Sequence, residues 1–449
     1  MSTFDLILRS GTVVTPEGAS VADIGISDGK IAALAPNLRG SSHEEVQAAG
    51  LHIFPGLIDA HVHFNEPGRT HWEGIATGSR ALAAGGGTLF FDMPLNAHPP
   101  TCDAASFDLK LAAAQKNSAT DFAFWGGLVP ENLDRLEELA GCGVIGFKAF
   151  MSSSGIEDFS RADERTLREG MKRAAILRLP VAVHAESEAL TGKLTAEKLA
   201  AGKTSIRDYL ESRPVAAELE AIRRAIELAA ETGCALHIVH VSSGEGVALV
   251  SAAKTAGVDV TCETCPHYLT LTGEDVEKIG ALAKCAPPLR TAEIQNELWQ
   301  RLAADEIDTV GSDHSPSPPE MKGGENFFKI WGGISGVQHT LPLLLDGACQ
   351  RQISPAQIAR VTSFNVAERF HLPSHKGRIA VGADADLAVI DLAHSFTVRA
   401  ENLLYRHRQS PYVGRALTGW VVQTILRGRT ISKDGRIVAT NHGQLIKPV

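Results

Sequence analysis

Eight short apolar segments alternate with helix-like segments through the middle of this 449-residue chain, and this alternation constrains the fold more than any other feature. Each apolar run spans about six to eight residues and precedes a stretch rich in Ala, Leu, Glu and Arg, as in a strand followed by a helix. Strands that are apolar throughout indicate a parallel sheet covered by helices, and eight such units favour an α/β fold of the (β/α)8 TIM-barrel type. The segments begin near Leu57, Thr88, Phe122, Val144, Pro180, Ala235, Asp259 and Asp308.

The two ends of the chain have a different pattern from the middle. Residues 4–8 and 30–34 near the start, and 386–391 and 421–426 near the end, are short strand-like runs bounded by turn residues. We therefore predict that both ends form one small β-sandwich domain, made of residues 1–54 and 376–449. Residues 55–375 are then the barrel domain.

Composition excludes several classes of partner. A net charge of -9 provides no basic surface for nucleic acid or for an acidic membrane. We find neither a signal peptide at the start nor an apolar run near the roughly 18 residues of a membrane span. The seven scattered cysteines argue against a disulfide framework, and the lone C-x-x-C at 262–265 has no second pair. We expect a cytoplasmic protein with a small-molecule substrate and no nucleic-acid or membrane partner.

Residues that can bind metal collect at the ends of the predicted strands, where a TIM barrel has its active site. The first strand ends in His-x-His, whose two side chains share a face, although this motif is weak evidence in a chain with 17 histidines. The sixth strand contains two histidines on opposite faces, and His237 is the one expected to be packed rather than functional. The set as a whole predicts a metal site. It comprises His61, His63, Lys148, His184, His240 and Asp313.

Lys148 is the unusual member of this set. Taken alone, a lysine at the end of an apolar run favours a head group that reaches solvent. Among histidines it makes sense as a carbamate formed with carbon dioxide, whose two oxygens bridge two divalent ions. Zinc suits such ligands best, and cobalt, manganese or nickel are also accepted. The ions would share a water whose pKa falls towards about 7, and Asp313 would be both a ligand and the group that carries the proton to the leaving nitrogen.

These residues lie in motifs that resemble the cyclic amidohydrolases of the amidohydrolase superfamily. The resemblance implies hydrolysis of a cyclic amide by a binuclear centre bridged by a carbamylated Lys148, in a homotetramer. It also implies that His61, His63 and Asp313 hold one metal ion and that His184 and His240 hold the other. The motifs are residues 55–63, 146–148, 265–268, 311–316 and 377–387.

Three departures from the family patterns narrow the substrate. Dihydroorotases carry an arginine where this chain has Asn65 and a histidine where it has Ser317, so a carboxylate substrate is poorly held here. Hydantoinases and dihydropyrimidinases carry a tyrosine near the position of Ser153. A third branch of the family, whose substrate is a hydantoin ring with a ureido arm, matches better. Its motifs resemble residues 66–74, 92–96, 315–322 and 406–415.

The resemblance also implies candidate substrate-binding residues. Backbone groups at Ala286 and at Gly332 with its neighbour Gly333 align with segments that hydantoinases use to hold the ring. The polar loop 152–154 would admit the ureido arm, and Asn96 and Ser317 complete the set with Ser153. Two alternatives stay open, a hydantoinase or dihydropyrimidinase and a non-catalytic scaffold, although all six ligand positions are filled.

Overall fold

The computed structural model describes residues 3–449 of the chain. Its strands are β1 (Thr3–Thr15), β2 (Gly18–Ser27), β3 (Lys30–Ala35), β4 (Ser41–Gln47), β5 (His52–Pro55), β6 (Leu57–Val62), β7 (Gly87–Asp92), β8 (Asp121–Phe124), β9 (Gly126–Gly127), β10 (Phe147–Phe150), β11 (Val181–His184), β12 (Leu236–Ile238), β13 (Val260–Thr264), β14 (Thr309–Val310), β15 (Leu387–Thr397), β16 (Ala416–Leu426), β17 (Arg429–Lys433) and β18 (Arg436–Ile437).

Helices follow most strands of the middle region. They are α1 (Ile75–Ala84), α2 (Ala104–Asn117), α3 (Leu136–Cys142), α4 (Glu164–Leu177), α5 (Glu188–Ala200), α6 (Ile206–Glu211), α7 (Val215–Thr232), α8 (Gly244–Thr255), α9 (Pro266–Thr270), α10 (Gly273–Ile279), α11 (Ala292–Ala303), α12 (Thr340–Gln350), α13 (Pro355–Ala359) and α14 (Asn365–Arg369). None of the helices between residues 3 and 449 combines the length and the apolar content that crossing a membrane requires.

Both ends of the chain contribute to one β-rich unit, as the sequence predicts. Nine strands form one hydrogen-bonded sheet in the order β18-β17-β16-β15-β5-β1-β2-β3, with β4 also paired to β1. The junction between the two ends is the antiparallel pair of β5 with β15. Alternating residues of these strands, including Ile24, Ile53 and Val389, bury a core of their own. The domain boundaries at 54/55 and 375/376 stay predictions.

The middle of the chain forms the TIM barrel. Parallel strands run in two arcs, β6-β7-β8 and β9 to β14, and β8 and β9 are separated only by Trp125. A parallel bridge between Val62 and His314 joins the first strand to the segment after the last, so eight strand positions surround the axis. The predicted strand starts agree with the observed ones to within one residue, except that the fourth strand begins at Phe147 instead of Val144.

Large side chains fill the interior of the barrel. Phe370, just after α14, packs with its ring centroid 5.3 Å from that of Phe91 and 5.2 Å from those of Trp125 and His237. Ile446 joins the same cluster, and its backbone N–H donates to the Phe122 carbonyl at 2.8 Å. The barrel therefore has a packed core in this region.

Candidate metal centre and substrate cavity

The first ligand group consists of His61, His63 and Asp313. His61 lies within β6 and His63 follows that strand, whereas Asp313 lies three residues beyond β14 with a positive φ of 44°. Nε2 of each histidine lies 3.3 Å from Oδ1 of Asp313. One donor atom from each of the three side chains lies within 4.8 Å of the others, an arrangement that fits a divalent ion.

The second ligand group consists of His184 and His240. His184 ends β11, and His240 lies two residues beyond β12 with a positive φ of 41°. Nδ1 of His184 lies 3.0 Å from Nε2 of His240, and the ring centroids of His240 and His61 are 5.5 Å apart, so the two groups adjoin. Burial lowers the pKa of both imidazoles in this group, which favours the neutral form that binds metals.

Lys148 lies in β10 and does not reach solvent. Its side chain is fully buried, and Nζ has no hydrogen-bond partner anywhere in residues 3–449. Burial lowers the pKa of the amine to about 7, because the charged form loses its hydration. At neutral pH much of this amine is therefore unprotonated, which is the form that reacts with carbon dioxide.

Two buried carboxylates hold the imidazoles from behind, and the sequence analysis does not identify either. Oε1 of Glu263 lies 2.7 Å from Nδ1 of His61, and Oε2 of Glu186 lies 2.8 Å from Nε2 of His184. Each contact fixes which ring nitrogen faces the centre, Nε2 in His61 and Nδ1 in His184. Burial alone would raise the pKa of Glu263, but His61 and His237 lower it to about 2, so this carboxylate is charged.

A sequence signal for these carboxylates exists. Glu263 lies in the apolar strand β13, and Glu186 follows β11 by two residues. A carboxylate on a buried strand needs a partner, because burying an unpaired charge costs several kcal/mol. Four imidazoles, a carboxylate and an amine without a hydrogen-bond partner among residues 3–449 thus meet at one place. This donor set is consistent with a binuclear metal centre.

A cavity of about 340 Å³ opens at these ligand groups and is lined by both. Four of the predicted substrate-binding residues also line it: Asn96, Ser153, Ala286 and Gly332. Ser317 does not. It is buried outside the cavity, and its carbonyl accepts a hydrogen bond of 2.7 Å from Gln409. Ser317 is close to Asp313 in the sequence, but the turn that follows Asp313 places Ser317 away from the cavity.

One wall of the cavity is the segment of residues 326–333, which we call the wall segment. Nζ of Lys284 donates to the Phe327 carbonyl at 2.6 Å and also to the carbonyl of Ile330. Nζ of Lys322 donates to the Gly333 carbonyl at 2.7 Å. Two lysines, the buried Lys284 and the partly exposed Lys322, therefore fix the backbone of the wall segment, and the sequence analysis assigns no role to either.

Comparison with known proteins agrees with this architecture over the full chain. A protein named allantoinase from Rubrobacter xylanophilus is 58% identical over 100% of this chain and 98% of its own length. An allantoinase from Deinococcus radiodurans is 53% identical over 99% of both chains. Among solved structures, the L-hydantoinase (dihydropyrimidinase) of Arthrobacter aurescens superposes with a TM-score of 0.96 at 34% identity, covering 99% of this chain and 100% of that one. The dihydropyrimidinase of Brevibacillus agri gives a TM-score of 0.92 at 31% identity over 98% of both chains.

The sequence model of one family matches most of the chain. It is described as the amidohydrolase family, and the match covers residues 52–431, which includes every proposed ligand and most of the β-rich unit's C-terminal strands. The chain therefore belongs to the amidohydrolase family.

Proposed function

We propose that this chain is an allantoinase, a hydrolase that opens the hydantoin-ring amide of allantoin to give allantoate in purine breakdown. The observation that carries the proposal is the convergence of six ligand-type side chains, Lys148 among them, beside one cavity at the barrel mouth. Two full-length relatives at 58% and 53% identity are named allantoinase, which supports this choice of substrate.

In this proposal each ligand group would hold one divalent ion, and the carbamate of Lys148 would be a ligand that the two ions share. Its neutral amine adds to carbon dioxide, which forms the carbamate N–C bond and releases one proton. Imidazole and carboxylate ligands suit zinc, and cobalt, manganese and nickel are the alternatives. When bound, two divalent ions lower the pKa of water towards about 7 and polarise the amide carbonyl.

Asp313 moves the proton in the proposed reaction. Burial alone would raise the pKa of its carboxyl, but His61 and His63 hold it well below the usual range, so Asp313 is ionised at neutral pH. Since Oδ1 faces both imidazoles at 3.3 Å, Oδ2 is the oxygen available to a proton. It accepts a proton from the attacking water and delivers it to the ring nitrogen as the C–N bond breaks, because an amide anion is a poor leaving group.

Two positions in the family pattern support a neutral substrate over dihydroorotate. Nδ2 of Asn65 donates to the carbonyl of Pro316 at 3.3 Å, so Asn65 and Ser317 occupy neighbouring places in the fold. These are the positions at which dihydroorotases carry cations that hold a carboxylate. Ser153 lines the cavity near the position where hydantoinases and dihydropyrimidinases carry a tyrosine, which would take more space.

The proposal also covers the cellular location, the type of substrate and the oligomeric state of the enzyme. The seven cysteines are all free thiols, which supports a reducing, cytoplasmic location. A net charge of -9 supports a small-molecule substrate without a nucleic-acid partner. Assembly as a homotetramer rests on analogy with the family.

A panel of four cyclic amides tests the substrate. Steady-state kcat/KM is measured for allantoin, hydantoin, dihydrouracil and dihydroorotate, with defined metal ions and bicarbonate present. We expect allantoin to be preferred by at least about 10-fold, because a site built to bind polar groups rejects substrates that lack them. Preference for hydantoin would instead assign the hydantoinase activity suggested by the solved structures, and hydrolysis of none of the four would favour a non-catalytic scaffold.

A further inference from the structure

Arg213 is a cavity residue that the proposed chemistry does not use. Its guanidinium lines the cavity, and its side chain keeps 16% of its surface exposed. Nη1 donates to Oε2 of Glu186, the carboxylate behind His184. Nε and Nη2 have no hydrogen-bond partner within the described residues, so part of the guanidinium remains free to bind a ligand.

The position of Arg213 is fixed from several sides. Its backbone carbonyl accepts a hydrogen bond of 2.6 Å from Nη1 of Arg290. Its guanidinium lies 5.9 Å from the ring centroid of Tyr209, whose hydroxyl donates to the Cys285 carbonyl at 3.0 Å. Because Glu186 holds the guanidinium as well, little rotamer entropy remains to be lost when a ligand binds.

The other cations of the cavity wall do not offer the same chemistry. The ammonium of Lys284 already donates to backbone carbonyls of the wall segment, and Lys329 is an exposed point charge. Arg213 presents a planar fork of donors, which matches a planar acceptor better than an ammonium does. Since Glu186 balances its charge, Arg213 favours a neutral acceptor over an anion.

Arg213 and Ser153 both contact the segment that follows His184. Arg213 contacts Glu186, and the backbone N–H of Ser153 donates to Oε2 of Glu188, two residues further along, at 2.7 Å. Both residues therefore border the segment that follows His184.

We infer that Arg213 is a specificity-determining residue that donates hydrogen bonds from its guanidinium to the carbonyl oxygen of the substrate's ureido arm. This inference rests on the proposed function and extends it, because allantoin carries this planar neutral group and hydantoin lacks it. The polar loop at Ser153 then leaves room for the arm.

The test compares the two substrates in one variant. Arg213→Met is assayed as metal-loaded holoenzyme, with kcat/KM measured for allantoin and for hydantoin. Both substrates share the ring and the metal centre, so structural damage lowers both values equally. Any loss shared by the two substrates reports the missing partner of Glu186 behind His184, so the ratio of the two kcat/KM values is the readout. We expect the loss for allantoin to exceed that for hydantoin by about 10- to 100-fold. Arg213→Lys keeps the charge without the fork, and we expect a smaller change in the same direction.

Arg207→Met is the matched control. Arg207 lies in α6 near Arg213 in sequence and pairs with Glu277 outside the cavity, so its ratio of kcat/KM values is expected to equal that of the wild type. An equal loss on both substrates in Arg213→Met, or a loss on neither, would overturn the inference. If that variant does not fold, the same ratio in Arg213→Lys decides. A wild-type enzyme that does not hydrolyse allantoin would overturn the proposed function and this inference together, whereas an active wild type with an unchanged ratio in the variant overturns the inference alone.

Discussion

Lys148 lies fully buried in β10, and no group in residues 3–449 hydrogen-bonds to its Nζ. A permanent ammonium in this position is costly, and burial accordingly lowers the pKa of the amine to about 7. The proposed carbamate would remove that cost, because it would replace the cation with an anion that the two proposed metal ions neutralise. The position of one residue thus connects the burial of β10 with the proposed chemistry.

Lys148→Ala tests this account at the scale of one residue. We expect loss of bound metal and a fall in kcat of at least about 10³-fold, since the bridging ligand and its charge are both removed. Short carboxylic acids such as acetate or propionate should restore part of both, because their carboxylates fit the space that the side chain leaves. Metal content and allantoin hydrolysis are measured with and without the added acid, and full activity in the unsupplemented variant would refute a bridging role.

At the scale of elements, the strands of the barrel are predictable from the sequence because each is a short, uniformly apolar run. The directions in which some of the predicted ligand side chains point cannot be predicted in the same way. Counting alternate faces along a strand stops being valid where the strand ends, and both His240 and Asp313 lie beyond their strands with positive φ angles. Their residue types predict them as ligands, but turns set their positions. His237, inside β12, behaves as counting predicts, with Nδ1 2.8 Å from Oγ1 of Thr261.

The sequence does not reveal the conformation of the wall segment or which imidazole each buried carboxylate contacts. Residues 326–333 have no apolar periodicity, and their conformation depends on hydrogen bonds from Lys284, which lies more than forty residues away in the chain. Glu263 acts on His61 across 202 residues of sequence. Contacts between residues so far apart in the sequence form because the barrel is closed, and no local sequence pattern encodes these contacts.

Lys284→Met tests the role of this lysine in the wall segment. Removing the ammonium leaves buried carbonyls without a donor, at a cost of roughly 1–3 kcal/mol each. We expect faster hydrogen exchange in residues 326–333 and a KM for allantoin about 10-fold higher, with kcat changed by less than about 3-fold, because binding is affected more than the metal centre. The exposed Lys278→Met in α10 is the control. Unchanged exchange of the wall segment in Lys284→Met would show that this lysine does not anchor it.

At the scale of the whole molecule, a buried ion cluster joins the barrel to the β-rich unit. Nζ of Lys376 lies 2.7 Å from Oδ2 of Asp121, at the start of β8, and 2.7 Å and 2.9 Å from carboxylate oxygens of Asp386 and Asp384, just before β15. Arg427, after β16, also pairs with Asp121. Burial alone would lower the pKa of Lys376, but the neighbouring carboxylates raise it above its usual value, so Lys376 is charged.

Lys376→Met is expected to destabilise the fold without altering the chemistry. Loss of the central cation leaves the buried Asp386 without an ion-pair partner, and breaking such a pair costs about 3–5 kcal/mol. Urea denaturation should show a fall of this size in the free energy of unfolding, while kcat/KM of the folded enzyme stays within about 2-fold of the wild type. Lys172→Met removes an exposed pair with Glu169 and should change stability by less than about 0.5 kcal/mol. Equal stability of the two variants would mean that the cluster does not hold the barrel and the β-rich unit together.

The central claim is that a two-ion centre built by the two ligand groups and Lys148 drives hydrolysis of allantoin. Its most direct test is a titration of metal-free protein, prepared with a chelator and returned to buffer containing bicarbonate, with zinc added in steps while allantoin hydrolysis and bound metal are measured on the same samples. We predict no activity without metal and a plateau of activity at two ions per chain. Activity that persists in the metal-free protein, or that reaches its plateau at one ion per chain, would contradict the account.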